Sequence, residues 1–476
     1  MKIITVHELA DFKGTILIPV FETHVKSLVP IEFQGVSVSS KVFYGKKDTS
    51  YHSDKYDCLH LFIGLGKTPD YKSVFTMFRR ISLRNKEHFN TNTALVLPDG
   101  FQAGLAEAAF SGLLAGTYEI GHFKKTDSHP FLREGFELAL LAKGNYTETA
   151  DRAFRIAKAK LETLRLVDLP PNVATPQYLA KWAMEAGEKY GFKTTVFDRQ
   201  TCVQLGLDAF LAVAQGSARE PQFIIMEYTP DNLTNGMKHI GLVGKGITFD
   251  TGGLNIKTAG MLHMKSDMAG GAAVLGAMQL VSDLKLDAKV TAIVPACENA
   301  VGNMSFLPAD VIRSYSGHSI EIIDTDAEGR LILADGLSYL TKNYKPDYIV
   351  DIATLTGSSV ATFGYECGAL FTNNESLSKQ LQQAGDDVGE RVWPLPLWEA
   401  YRQDIESEVA DVKNFSGKPV AGAISAAKFL EFFTAGHTAW AHLDVAGVAF
   451  GDDEFAKTKH ATAFGVQLLT KFIENL

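Results

Sequence analysis

Residues 243–286, VGKGITFDTGGLNIKTAGMLHMKSDMAGGAAVLGAMQLVSDLKL, constrain the fold more than any other stretch. They follow an apolar, strand-like run that starts at His239 and breaks at a glycine-rich turn. A small-residue run with helical spacing then begins at Ala269. Lys245, Asp250, Lys257 and Asp267 lie between the two, amid glycines. Polar groups crowded where a strand gives way to a helix form a site pattern, because loops on a rigid sheet carry chemistry. A second acidic stretch, Asp324-Thr325-Asp326-Ala327-Glu328-Gly329-Arg330, opens another helical run. Together the two stretches read as the shell of a metal centre.

A chain of 476 residues exceeds the size at which one core keeps growing, so two domains are expected. The spacing divides them as 1–150, an α/β domain; 151–172, a linker helix and boundary; and 173–476, the domain holding the acidic stretches. A net charge of −9 argues against a broad basic face for nucleic acid. Cys58, Cys202, Cys297 and Cys367 lie far apart with no CxxC spacing, which suits buried thiols in a reducing compartment. MKIITVHELADF interrupts the apolar core that a signal peptide needs, and no run approaches the roughly 18 apolar residues of a membrane span. A soluble, cytoplasmic protein without membrane partners is the expectation.

In the first 150 residues, GTILIPVF (14–21), CLHLFIGLG (58–66) and TALVLPDG (93–100) read as strands. Segments near 70–85, 101–115 and 149–166 have helical spacing. No catalytic constellation appears there. Pro170-Pro171 then marks a boundary, and Thr175-Pro176 reads as an N-cap with Pro at N1. Beyond it, strands are expected at 222–228, 239–249, 288–297, 319–325, 347–357 and 439–450. Helices are expected at 269–285, 329–342, 425–435 and 462–474. Several of the strands are nearly all apolar, as strands buried on both faces should be.

Each of Asp250, Asp267, Asp326 and Glu328 taken singly reads as a helix cap or a solvated turn acid. Their shared context, turns at the ends of apolar strands, changes the reading. Four carboxylates converging there repel one another unless cations neutralise them. Two divalent ions about 3.5–4 Å apart would do so and would activate water for hydrolysis. Lys245 is either an ion-paired ammonium or an amine that has lost its proton beside a dication. Lys257 could stay charged and stabilise an oxyanion. Spacing assigns neither role. Arg330 is either a structural salt bridge or an anion clamp. His263, between Leu262 and Met264, reads as incidental. No nucleophile–His signature stands out, so covalent catalysis is disfavoured.

VGKGITFDTGG, MKSDMAGGAA, TDAEGRLILADGL and DIATLTG closely resemble the leucine aminopeptidase family of cytosolic dinuclear metallopeptidases. LPPNVATP, WPLPL, ADVKNFSG and WAHLDVAG extend the likeness over about residues 165–476. The resemblance implies a small N-terminal α/β domain joined to a larger α/β/α catalytic domain with a mixed central sheet. It also implies that Lys245, Asp250, Asp267 and Glu328 hold a tighter Zn²⁺ or Mn²⁺ ion. Asp250, Asp326 and Glu328 would hold an exchangeable one, with Asp250 and Glu328 bridging. Lys257 would polarise the scissile carbonyl, and Arg330 would secure a bicarbonate that shuttles the proton. Met264, Thr354, Thr356, Gly357 and Ala446 would shape the pocket for the first side chain. Short peptides would be the substrates, and a homohexamer the assembly.

Some positions depart from the family pattern. The loop 258–266 is one residue short, with Ala269 as a compensating insertion. Asp324 stands where Asn is usual, Ala309 and Ala463 replace glycines, and Ala449 lies in a variable part of the pocket. A narrower dipeptidase, such as one for Cys-Gly, and a DNA-binding regulatory relative are the alternatives. The acidic net charge counts against the second.

Overall fold

The computed structural model describes residues 1–9, 12–22, 30–55, 57–90, 92–120, 122–125, 128–232 and 236–476. Ala10 and Asp11 of MKIITVHELADF lie outside them. The chain is α/β and divides into two compact units, Met1–Lys158 and Ala159–Leu476.

In the first unit the strands are β1 (Lys2–Val6), β2 (Gly14–Phe21), β3 (Ser50–Lys55), β4 (Cys58–Gly66), β5 (Thr93–Val96) and β6 (Glu137–Leu141). They form a sheet in the order β1-β6-β5-β2-β4-β3. All neighbours are parallel except β3 and β4. Successive side chains of a strand face opposite sides. Leu17, Leu61 and Leu95 accordingly join a cluster with Phe78 of α1 (Tyr71–Arg84) and Phe110 of α2 (Ala103–Ala115). Ile16, Ile18, Phe62 and Ala94 belong to a separate cluster with Phe43. Asp70 starts α1 with a reciprocal capping box through Ser73. The helix α3 (Thr147–Asp168) begins in this unit and ends in the second.

The second unit opens with α4 (Pro176–Tyr190), whose N-cap Thr175 accepts a hydrogen bond from Tyr178 N and whose first residue is proline. Its strands are β7 (Lys193–Phe197), β8 (Gln222–Tyr228), β9 (His239–Gly244), β10 (Gly246–Asp250), β11 (Lys289–Asn299), β12 (Tyr348–Ala353), β13 (Gly368–Thr372), β14 (Val392–Pro394) and β15 (Trp440–Asp444). The sheet runs β14-β13-β15-β12-β9-β11-β8-β7, with β10 paired to β11. Its centre, β15-β12-β9-β11, is parallel; β8 and β13 join antiparallel, so the sheet is mixed. The helices packed on it include α5 (Ala269–Asp283) and α6 (Gly329–Asn343). Val243, Ile293, Leu333, Leu337 and Trp440 share one buried cluster. Each such side chain contributes about 1.5–3 kcal/mol by leaving water.

Glycine lets α5 approach closely. A Cβ on Gly270 would lie 2.2 Å from the carbonyl oxygen of Ile352 on β12. The helix N-terminus is therefore seated on the carboxyl end of the sheet. Ligands in open α/β sheets are bound at that edge.

Several expectations change: the strands expected at 93–100, 347–357 and 439–450 end at Val96, Ala353 and Asp444. The run 239–249 is not one strand: it breaks at Lys245, and β10 leaves the partners of β9 to pair with β11 alone. The run 319–325 shortens to Ser319–Glu321, because the residues after it are drawn into a turn by Asn414. The strand KTTVF at Lys193–Phe197, at the sheet edge, and the helix Glu375–Val388 were not foreseen from the pattern.

Candidate metal centre

Three loops deliver charged groups to the carboxyl edge of the sheet. The break between β9 and β10 turns Lys245 inward, where it is buried. Its ammonium lies 2.8 Å from Asp267 Oδ1, 2.9 Å from Glu328 Oε1 and 3.0 Å from the carbonyl of Thr354. Gly329 makes room for it, since a Cβ there would lie 2.4 Å from Lys245 Cε. Lys257 Nζ is 2.7 Å from Asp250 Oδ2 and also pairs with Asp326. Ligand atoms of Asp250, Asp326 and Glu328 lie within 4.8 Å of one another, a grouping that could hold a metal ion.

The bland readings hold only in part. Asp250 does close a turn, its Oδ1 accepting from Gly252 N at 2.8 Å. Glu328 occupies the N-cap of α6 but makes no side-chain cap bond. Asp267 is not at a strand end; it follows the 3₁₀ turn Met261–Ser266 and precedes α5. Glu328 Oε2 is buried without a hydrogen bond. Asp267 Oδ2 lies 2.8 Å from the Lys245 ammonium, yet that ammonium donates to Oδ1, and Oδ2 accepts nothing. Orphaned carboxylate oxygens in a buried site are costly, about 1–3 kcal/mol each or more for a charged group. They are an observation that a cation would explain.

The charges agree. Four carboxylates face two ammoniums, a deficit of two positive charges. Burial, then repulsion by Asp250 and Glu328, pushes Asp326 up to about 7. Burial raises Asp267 well above the carboxylate range, against the pull of Lys245. Burial and then Asp250 raise Glu328. Burial alone would lower Lys245, but Asp267, Glu328 and Asp250 outweigh it and hold its pKa above the lysine value. Lys257 is likewise raised, chiefly by Asp250 against the burial penalty. Burial and mutual repulsion thus raise Asp267, Asp326 and Glu328 in spite of the two lysines.

Arg330, on the first turn of α6, is buried. Its Nη1 donates to the carbonyl of Asn414 at 2.7 Å, and its Nε has no partner. Burial pulls it down to about 10, opposed by Glu328, Asp324 and Asp444. Asp324 thus adds charge beside Arg330, and its Oδ1 also accepts from Asp326 N at 2.8 Å.

The five pocket residues are placed unequally. Thr354 touches the cluster directly, its hydroxyl donating to Asp267 Oδ1 at 3.0 Å. The carbonyl of Met264 accepts from Asp267 N. Thr356 and Ala446 meet on the buried carboxylate of Asp444, which accepts from the Thr356 hydroxyl at 2.6 Å and from Ala446 N at 3.2 Å. Gly357 opens the helix Gly357–Phe363 and is exposed. His263 rests its ring 5.9 Å from that of Phe450 and is outside the metal-binding grouping.

Several structural residues escaped the sequence reading. Asn299 donates to Asp250 Oδ1 at 2.8 Å. Asn255 and Thr325 bind one another across the two loops. Asn414 gathers residues 323–327. Asp444 lies within WAHLDVAG, a motif read as a whole without this residue singled out. The cysteines are free, three of them buried, and none belongs to the grouping. Among the described residues, no helix is long and apolar enough to cross a membrane.

The family description "Cytosol aminopeptidase family, catalytic domain" matches residues 162–470. Three relatives share the curated description "Probable cytosol aminopeptidase". One from Chlorobaculum tepidum is 43% identical over 381 residues, spanning 78% of this chain and 75% of its own. One from Chloroherpeton thalassium is 42% identical over 386 residues, with 78% and 75% covered. One from Geotalea uraniireducens is 42% identical over 437 residues, with 87% and 85% covered.

Proposed function

The chain belongs to the cytosol aminopeptidase family, and from that premise we propose that it is a dinuclear metal-dependent aminopeptidase releasing N-terminal residues from short peptides. The observation that carries this reading is a set of four carboxylates facing two ammoniums, with Asp250, Asp267 and Glu328 buried, Asp326 exposed, and Asp267 and Glu328 each keeping an orphaned oxygen. Two divalent ions, Zn²⁺ or Mn²⁺, carry four positive charges and would supply Lewis acidity and a water of lowered pKa. Lys245, Asp250, Asp267 and Glu328 would hold one ion; Asp250, Asp326 and Glu328 would hold the other. Beside a dication Lys245 would shed its proton and offer its lone pair.

The chain's own groups then have distinct tasks. Lys257, freed from Asp250 and Asp326 when cations take those oxygens, keeps its proton and points it at the oxyanion of the tetrahedral intermediate. Arg330, with an unpartnered Nε, suits a small planar oxyanion such as bicarbonate, a proton carrier that would replace a side-chain base. Thr354 and the backbone of Met264 fix Asp267, while Asp444 holds Thr356 and Ala446. Met264, Thr354, Thr356, Gly357 and Ala446 would border the first side chain, and a free α-amine on the exchangeable ion would confine cleavage to the N-terminus. A cytoplasmic homohexamer completes the reading, on family likeness alone.

The test is hydrolysis of leucine p-nitroanilide by protein stripped with chelator and then given Mn²⁺ or Zn²⁺. Activity should vanish and return with metal, and Asp326→Ala should abolish it. Turnover retained in that variant overturns the assignment. Faster turnover of Cys-Gly than of the leucine substrate would point to the narrower dipeptidase.

A further inference from the structure

Strand β11 ends on Asn299, a buried residue placed between the two acidic loops. Its Nδ2 donates to Asp250 Oδ1 at 2.8 Å and to the carbonyl of Thr325 at 3.0 Å. Both partners can only accept, so the chemistry fixes which end of the amide faces them. Its own carbonyl oxygen accepts from Thr251 N and from the Thr251 hydroxyl, each at 2.9 Å. One residue therefore grips the chain beside Asp250 and the chain beside Asp326 at once.

The consequence lies in the oxygens of Asp250. Oδ1 receives Asn299 Nδ2 and Gly252 N, both at 2.8 Å, which fills its two lone-pair directions. Among the described residues, Oδ2 receives Lys257 alone. Asn299 Oδ1 is meanwhile buried without a partner. An orphaned buried oxygen is unfavourable, and the fold accepts it to keep the Nδ2 end in place. Aspartate, of the same shape, would set an oxygen against two acceptors and add a fifth negative group to the cluster.

We propose that Asn299 is a positioning residue for metal binding. By occupying Asp250 Oδ1 it leaves Oδ2 as the one oxygen Asp250 offers the ions, and by holding Thr325 it fixes the spacing of Asp250 from Asp326 and Glu328. Outer partners of this kind typically govern 10–100-fold in metal affinity. The inference rests on the dinuclear reading above.

The experiment is a titration of metal-free protein with Mn²⁺, the free ion read by electron paramagnetic resonance, with folding checked by circular dichroism. Wild-type protein should take two ions. Asn299→Ala should still take two at saturation but bind at least one about 10–100-fold more weakly. Asn299→Ser, which keeps a small polar side chain, serves if the alanine variant fails to fold and should show the same loss. A purely structural residue would lower the unfolding temperature of the metal-free protein and leave the affinity of the folded fraction unchanged. That outcome overturns the proposal. Wild-type protein that binds no Mn²⁺ and no Zn²⁺ would instead overturn the metal reading itself.

Discussion

The catalytic unit buries two kinds of carboxylate. At the carboxyl edge of the sheet, Asp267 and Glu328 each keep an oxygen without a hydrogen bond. Elsewhere in the same unit, Glu390 receives Lys160 Nζ at 2.7 Å, Gly465 N at 2.9 Å and Leu468 N at 3.0 Å, so it caps α7 (Val466–Glu474). Asp335 receives Tyr315 N at 2.7 Å and Phe210 N at 2.9 Å. A raised pKa does not separate the groups, since burial pushes Asp335 up to about 7 as well. Hydrogen bonding does. Among the described residues, Glu390 and Asp335 each accept two backbone N–H groups, whereas Asp267 and Glu328 are orphaned at one oxygen; Asp250 lies between, with Gly252 N on one oxygen and Lys257 on the other.

Neutralising one carboxylate of each kind should therefore have opposite effects. Glu328→Gln keeps the shape and removes a charge that burial and Asp250 already disfavour. Its turnover should fall at least about 100-fold, corresponding to roughly 3 kcal/mol of lost stabilisation. The metal-free variant should melt at or above the wild-type temperature. A large drop in melting temperature would place Glu328 with the structural group.

Glu390→Ala should do the reverse. It removes the carboxylate that Lys160 meets at 2.7 Å and uncaps α7, and removing one partner of a buried pair costs about 3 kcal/mol. The urea midpoint should fall, while kcat of the protein that remains folded stays near wild type. A loss of kcat without a loss of stability would break the comparison from the other side.

The sequence exposed some of this division and hid the rest for a physical reason. Strands 14–21, 58–66 and 222–228 are continuous apolar runs, and their limits match the structure residue for residue. The break at Lys245 was hidden, because Gly-Lys-Gly inside an apolar run reads as one strand. What breaks it is tertiary, the pull of Asp267 and Glu328 on one ammonium. The acidic motifs were legible because their glycines and acids are contiguous. Asn299, Asn414 and Asp444 were not singled out: their partners lie 49, 90 and 88 residues away, so the motifs ADVKNFSG and WAHLDVAG show two of them without showing what they hold.

Asp335 offers a pH test of the structural group. Its carboxyl titrates at about 7 in the fold against 3.8 normally, raised by burial and by Asp208 and opposed by the donors Tyr315 N, Phe210 N and Ala209 N. Its folded pKa exceeds its unfolded pKa, so the stabilisation from its protonated form is complete below about pH 4 and lost as pH rises through about 7. Asp335→Asn should remove that slope from the stability–pH curve. It should also cost about 2 kcal/mol at low pH, because its amide faces one backbone N–H with another donor. Parallel curves for wild type and variant would mean that Asp335 is ionised throughout.

The smallest effects come from backbone strain on the chain leading into each region. Ala309 (φ 76°) bonds Ile322 ahead of the acidic turn, and Ala463 (φ 57°) precedes Gly465, which Glu390 holds. A left-handed alanine costs about 1–2 kcal/mol, and glycine in its place gives back about 0.5–1 through chain entropy. Ala309 is exposed, so Ala309→Gly should stabilise by about 0.5–1 kcal/mol, seen as a higher urea midpoint. Ala463 is buried, and losing its methyl costs about a further 0.8 kcal/mol, which cancels the relief. Ala463→Gly should accordingly be neutral. Equal gains at both positions would show that burial of the Ala463 methyl contributes nothing to stability.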